Sequence, residues 1–281
     1  MVKRLHDVRE RSILITGASS GIGRAIAERA ARSGARMALV AHDERRLDEV
    51  ATRIRSLGGE AHAIACDVTD RDASLVAVRR AEELLGGIDV AVINAGVGRH
   101  RMLVEHDLDD AEHIIRVNVL GALYFAHALV PRMLSRGEGW LVFVASIGGL
   151  IPLPGEAVYS ASKFALVGLA ESLSVELEPT VQVLTLCPGL VDDTAFLHDD
   201  EEDRVSSAAR WLAIKPDAVA RAMFEGLARG RGRVVVPARL GLVATLRGIW
   251  PSIVRLGSAH SLAPALDSAR QRARVQPDSG R

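Results

Sequence analysis

The 281-residue sequence is short of several residue types, and each shortage narrows what it can be. It has two cysteines, Cys66 and Cys187, far apart and each inside an apolar run. Structural thiols in a reducing compartment are the expectation, and no metal site is expected. Neither sign of charge prevails. The 35 basic and 35 acidic side chains give a formal net charge of zero, which argues against nucleic acid as the main partner. No stretch reaches the ~18 uninterrupted apolar residues needed to span a bilayer. The N-terminal MVKRLHDVRERSILITG lacks the apolar core of a signal peptide. A cytoplasmic location is expected.

What is present is core material, with 48% hydrophobic residues. Short Val/Ile/Leu-rich runs read as buried strands at 13–16, 37–41, 61–65, 90–94, 141–145 and 181–186, with a final one at 233–237. Segments of helical spacing lie between them, at 21–33, 44–57, 71–85 and 159–178, and Pro216 opens another helix. A longer segment, 109–135, carries Ile114, Val117, Leu120, Leu123 and Ala126 at steps of three and reads as one helix. Strand-then-helix alternation implies parallel strands covered on both faces, an α/β doubly wound sheet. No linker and no repeat interrupts it, so a single domain is expected.

The chain has only two tyrosines and three lysines, yet it sets Tyr159 and Lys163 four residues apart in VYSASKFA. On a helix both project from one face. A fixed ammonium beside a phenol favours phenolate and lowers its pKa.

The glycine-rich TGASSGIG, residues 16–23, follows the first strand and opens the first helix. Gly17, Gly21 and Gly23 allow a tight turn and let backbone N–H groups approach a pyrophosphate at the helix N-terminus. The spacing is GxxxGxG rather than the commoner GxGxxG. The same residues satisfy G-x-S-x-G, the nucleophile elbow of hydrolases, with Ser19 as nucleophile. That position follows the first evident strand and leaves no upstream loop for an oxyanion hole.

Taken together, TGASSGIG, NAG (94–96), Asn118, Ser146, YSASK (159–163) and the PG at 188–189 resemble the short-chain dehydrogenase/reductase family from about residue 10 to about residue 237. The resemblance implies a Rossmann-type sheet of about seven parallel strands binding NAD(H) or NADP(H) at the strands' C-terminal ends. It implies Tyr159 as general acid/base, Lys163 beside it, Ser146 holding the substrate oxygen, and Asn118 supporting a proton relay. The alternative is the same fold kept as a cofactor-binding scaffold or sensor without turnover, against which the intact Asn118, Ser146, Tyr159 and Lys163 set speaks. Cofactor contacts implied are Gly17, Ser19, Ser20, Gly21, Ile22, Gly23, His42, Asp67, Val68, Asn94, Ala95, Gly96, Tyr159, Lys163, Pro188, Gly189 and Val191. Asp67 alone would otherwise read as a helix cap. An acid at the end of the second strand selects NAD. The family's NAD-selective Asp falls here on Ala41, followed by His42 and Asp43, with Arg24, Arg45 and Arg46 within reach. NADP(H) is therefore favoured over NAD(H).

PGLVDDT places Thr194 one residue late against the family's PGxVxT, and 190–215 is implied to be the substrate lid. Its walls are read as apolar: Ile147, Leu150, Ile151, Leu153, Val158, Leu190, Phe196 and Trp211. Leu153, Leu190 and Phe196, with Ser146 and Tyr159, are the substrate-binding set, favouring a lipophilic carbonyl or alcohol. Residues 1–238 are read as the catalytic domain and 239–281 as a helical extension ending in a frayed tail. Residues 229–281 carry ten Arg against two Asp and no Glu. The apolar, basic 240–256 segment suits an anionic membrane surface, the substrate cleft, or packing within a homodimer or homotetramer.

Overall fold

The computed structural model describes residues 4–192, 213–250 and 252. Each apolar run becomes a strand: β1 (Ser12–Thr16), β2 (Arg36–Ala41), β3 (Glu60–Ala65), β4 (Val90–Ile93), β5 (Gly139–Val144), β6 (Val181–Pro188) and β7 (Arg233–Val236). All pair in parallel in the order β3-β2-β1-β4-β5-β6-β7. The order reverses between β1 and β4, so their C-terminal ends open the crevice where ligands of such sheets bind.

Two apolar layers sandwich the sheet, because successive strand residues face opposite sides. Ile13 and Ile15 face the layer formed by α1 (Gly21–Arg32), α2 (Glu44–Ser56) and α7 (Pro216–Ala228). Leu14 faces α3 (Arg71–Leu85), α5 (Ala122–Arg136) and α6 (Ala157–Leu177). Phe125 and Phe143, both fully buried, anchor that second layer, each contributing about 1.5–3 kcal/mol by removal from water. Helix α8 (Arg239–Ile249) follows β7 and packs Leu240, Val243 and Ala244 on the same layer.

The long segment is helical throughout, with one irregularity that its apolar spacing does not show. It is α4 (Leu108–Ile115), then a π-helical turn at Arg116–Gly121, then α5. The wider turn breaks the three-residue phase: Ile114, Val117 and Ala126 are buried, whereas Leu123 is 42% exposed. Leu108–Arg136 is long and apolar enough to cross a membrane by length and composition, but half of its apolar window is buried inside the fold, as in a core helix.

Candidate active site

Site residues converge on the C-terminal ends of β1, β4, β5 and β6. The glycine loop is cramped. Gly17 has φ +63°, and a Cβ on Gly23 would lie 2.2 Å from the Gly17 carbonyl oxygen. Only glycine permits the loop to fold back so closely. Ser20 is the N-cap of α1 but its side chain makes no capping hydrogen bond. No Ser20 side-chain oxygen caps the first-turn N–H groups, and an uncapped helix N-terminus is the arrangement that receives a phosphate.

Asn94 braces this loop, its Nδ2 donating to the Thr16 carbonyl at 2.9 Å and the Gly17 carbonyl at 3.2 Å. Thr16, a residue that the motif reading passed over, completes the clasp. Its Oγ1 accepts from the Asn94 N–H at 2.9 Å and the Ala95 N–H at 3.0 Å. The only sequence signal was its place at the head of TGASSGIG.

Asp67 is not the helix cap; Asp70 caps α3, accepting from the Ala73 N–H. The Asp67 carboxylate accepts instead from the Thr69 N–H and hydroxyl, at 2.9 and 2.8 Å. Burial works to raise its pKa, but the Thr69 bonds and the nearby His42 and His113 outweigh it and hold the carboxyl below its ordinary value. Val68 packs against Gly121, where a Cβ would lie 2.9 Å from its side chain.

The four residues expected at the centre are brought together. Asn118 lies in the π-helical turn, fully buried, a setting where such turns recur at functional sites. Its Oδ1 accepts from the Val97 N–H at 2.8 Å, while its Nδ2 donates to the Val97 carbonyl at 2.9 Å and Ser162 Oγ at 2.8 Å. Ser162 in turn donates to the Tyr159 carbonyl at 2.7 Å. Ser162 was hidden inside YSASK as an unremarked spacer. Gly96 sits between two of these groups: a Cβ there would be 3.1 Å from Lys163 Nζ and 3.2 Å from Asn118 Oδ1.

Ser146 follows β5, 6% exposed, with its hydroxyl accepting the Gly148 N–H at 3.0 Å and hydrogen-bonded to the Tyr159 side chain. Tyr159 and Lys163 stand in the first two turns of α6. Lys163 Nζ lies 5.6 Å from the Tyr159 ring centroid and donates to the Val144 carbonyl at 3.1 Å.

The electrostatics correct one expectation. Burial pushes the Tyr159 hydroxyl well above its ordinary value; the Ser146 hydrogen bond lowers it only in part, and Glu156 and Cys187 raise it further. Burial likewise lowers Lys163 to about 8. The protein alone therefore favours the neutral phenol of Tyr159, rather than the lysine-stabilised phenolate that spacing suggests. Cys187, expected as a structural thiol, is a free buried thiol next to this centre, and burial pushes it up to about 12.

On the substrate side, Leu153 is half-buried, and a Cβ on Gly148 would meet its Cδ1 at 3.1 Å and Tyr159 Cε1 at 3.5 Å. Leu190 and Val158 are also half-buried. Ile147, Leu150 and Ile151, expected as pocket walls, are instead core residues at 7%, 8% and 9% exposure. Ile147 opens the 3-10 turn Ile147–Gly149 after β5, Leu150 and Ile151 follow it, and all three join the layer beneath. Val191 bridges to Ile214, and the Gly189 N–H donates to the Val236 carbonyl at 2.7 Å. Phe196, Trp211 and Thr194 lie outside the described residues.

Fold and loop together define a doubly wound α/β protein of the dinucleotide-binding type. The family model described as short chain dehydrogenase matches residues 11–205, and the chain belongs to that family. It is a short-chain oxidoreductase. It is 32% identical over 257 residues to 11-beta-hydroxysteroid dehydrogenase-like 2 of Arabidopsis thaliana, covering 90% of this chain and 82% of that one. It is 30% identical over 256 residues to 17-beta-hydroxysteroid dehydrogenase 13 of Rattus norvegicus, covering 90% and 83%. A short chain dehydrogenase/reductase from Burkholderia phymatum, solved in complex with NAD, superposes with a TM-score of 0.77 at 28% identity, covering 87% and 95%.

Proposed function

We propose that the chain interconverts a lipophilic ketone or aldehyde and its alcohol, with Tyr159 as general acid/base. The observation that carries this is the junction of Ser146, Tyr159 and Lys163 at the C-terminal end of β5, beside a glycine loop that no larger residue could form. A nicotinamide dinucleotide fits the cradle: Gly17, Ser19, Ser20, Gly21, Ile22 and Gly23 would take its pyrophosphate, and Asp67 and Val68 its adenine. Asn94, Ala95 and Gly96 would flank the adenosine ribose, and Pro188, Gly189 and Val191 the nicotinamide side. When bound, that cofactor supplies or accepts a hydride at the substrate carbon. Tyr159 gives the carbonyl oxygen its proton in reduction and takes it from the alcohol in oxidation. Ser146 holds the same oxygen. Lys163 fixes the electrostatics around the phenol, and Asn118, hydrogen-bonded to Ser162 and to the Val97 backbone, braces the helix that carries both.

NADP(H) is the preferred form in this reading. Ala41 at the end of β2 offers no charge to repel a 2′-phosphate. Asp43 is committed elsewhere, accepting from the Arg46 N–H at 3.0 Å and pairing with Arg46 Nε at 3.3 Å. Arg24 and Arg45, both exposed, pair with the half-buried Glu28 and the exposed Glu49. Such pairs are weak and leave the guanidiniums able to turn toward phosphate.

The half-buried Leu153 and Leu190, and the hydroxysteroid dehydrogenase names of two relatives, support an apolar substrate. A cytoplasmic homodimer or homotetramer remains the expected form. Leu123 and Leu134 on α5 and Val175 on α6 are 42%, 44% and 80% exposed, which supplies apolar surface for association. Peripheral membrane contact through 240–256 has a narrower basis. Leu240, Val243 and Ala244 of α8 already face the core, leaving Leu242, Leu246 and Trp250 outward.

Fluorescence titration with NADPH and NADH, followed by turnover of Tyr159→Phe on cyclic ketones, tests the proposal. Cofactor affinity should be unchanged while kcat falls about 10²–10⁴-fold. Binding of neither cofactor by folded protein, or full activity in the variant, would overturn it.

A further inference from the structure

Helix α8 reaches two parts of the site that lie far apart in the chain. At its start, Leu240 abuts the turn after β6: a Cβ on Gly189 would lie 2.8 Å from Leu240 Cδ1. Near its end, the half-buried Arg247 donates from Nη1 to the Leu150 carbonyl at 2.6 Å. The same guanidinium lies 4.7 Å from the Phe164 ring centroid. Leu150 opens the segment that leads through Leu153 and Glu156 to Tyr159. Phe164 follows Lys163 on α6. One cation thus touches both the backbone at the core end of the segment that carries Leu153 and the helix bearing Tyr159.

Both contacts are of the stronger kind. A charged donor on a carbonyl makes a stronger hydrogen bond than a neutral pair, and a planar guanidinium stacks well on an aromatic face. The other backbone hydrogen bonds of this segment are local, while the Glu156 side chain pairs with His100 Nδ1 at 3.0 Å. The Ile151 N–H donates to the Ile147 carbonyl at 2.9 Å, and the Glu156 N–H to the Leu153 carbonyl at 3.1 Å. The Leu153 N–H reaches Ser160 Oγ at 3.4 Å. Leu153 in turn packs beside Gly148, next to the Tyr159 ring.

We propose that Arg247 is a positioning residue: it pins the 150–156 segment against α6, and so sets how much room a substrate has beside Tyr159. This rests on the reading of Tyr159 as the acid/base of a carbonyl–alcohol enzyme, though the pin itself does not require turnover. Its consequence for selectivity is that loss of the pin loosens one wall. Bulky substrates, which need that wall ordered, suffer more than small ones.

The test is amide hydrogen exchange on the full-length protein, comparing wild type with Arg247→Ala and Arg247→Lys. In R247A the Ile151 and Glu156 amides should exchange about tenfold faster, while those of β1 stay unchanged. In R247K, whose ammonium can reach the same carbonyl, exchange should remain within about threefold of wild type. Unchanged exchange in R247A, or acceleration spread equally over β1, would overturn the proposal. Steady-state kinetics add a second readout, using cyclohexanone and the bicyclic 1-decalone. KM for decalone should rise about tenfold in R247A with kcat within about twofold, and KM for cyclohexanone should barely move. Equal loss on both ketones would overturn the selectivity role. Failure of the wild type to reduce any ketone would instead remove the enzymatic reading, with the exchange result still standing.

Discussion

Lys163 Nζ lies 5.6 Å from the centre of the Tyr159 ring, and its hydrogen bond is spent on the Val144 carbonyl at the end of β5. The ammonium is thus anchored to the sheet beside the phenol, and both groups are strongly desolvated. Burial disfavours the charged form of each, so the tyrosine goes up and the lysine down. A pair held this way carries a cost in folding stability that the site's chemistry must justify.

That cost is measurable. Lys163 falls from its ordinary 10.5 to about 8, a penalty of about 3 kcal/mol at neutral pH. Lys163→Met removes it but leaves the Val144 carbonyl without its donor, at about 1 kcal/mol. The variant should be inactive and about 2 kcal/mol more stable to urea at pH 7. Above pH 8 the native lysine loses its proton while the unfolded chain keeps one up to 10.5. Wild-type stability from this group therefore rises with pH across that window, and the variant's advantage should fade by about pH 10. An advantage independent of pH would contradict the assignment.

Glu156 supplies a second test. It is 8% exposed, bonded to His100 Nδ1 at 3.0 Å, and its charge helps raise Tyr159. Glu156→Gln keeps the shape and removes the charge. In alcohol oxidation, where Tyr159 must lose its proton, the acid limb of kcat/KM should move to lower pH. A limb that stays put would show that Glu156 does not reach the phenol.

The glycine loop predicts a steric result. A Cβ at position 23 would stand 2.2 Å from the Gly17 carbonyl oxygen. Gly23→Ala must push the loop apart, costing about 1–3 kcal/mol of stability and weakening dinucleotide binding at least about tenfold. Calorimetry with NADPH reads the affinity. Wild-type affinity in this variant would mean that the loop does not carry the pyrophosphate.

The proposed preference for NADP(H) is tested at Ala41. Ala41→Asp places a carboxylate where it repels a 2′-phosphate and can accept from a free 2′-hydroxyl. NADPH affinity should drop about tenfold or more and NADH affinity hold or improve. A uniform loss for both would move the selecting position elsewhere.

Much of this was determined locally. Strand runs such as ILIT and LVFV had to be buried on both sides, and their alternation with helices leaves a parallel sheet as the arrangement that buries them all. The glycine spacing and the Tyr159/Lys163 interval are likewise local, because backbone freedom and helical pitch depend on near neighbours alone. Contacts between distant residues were decided only by the tertiary structure. The π-helical turn that buries Asn118 is invisible in a three-step apolar pattern, which it breaks. Thr16 and Ser162 matter through what Asn94 and Asn118 bring to them across the fold. The direction of the Tyr159 shift reversed for the same reason. The sequence shows the lysine four residues away, whereas the desolvation that raises the phenol, and the influence of Cys187, come from packing against residues remote in the chain.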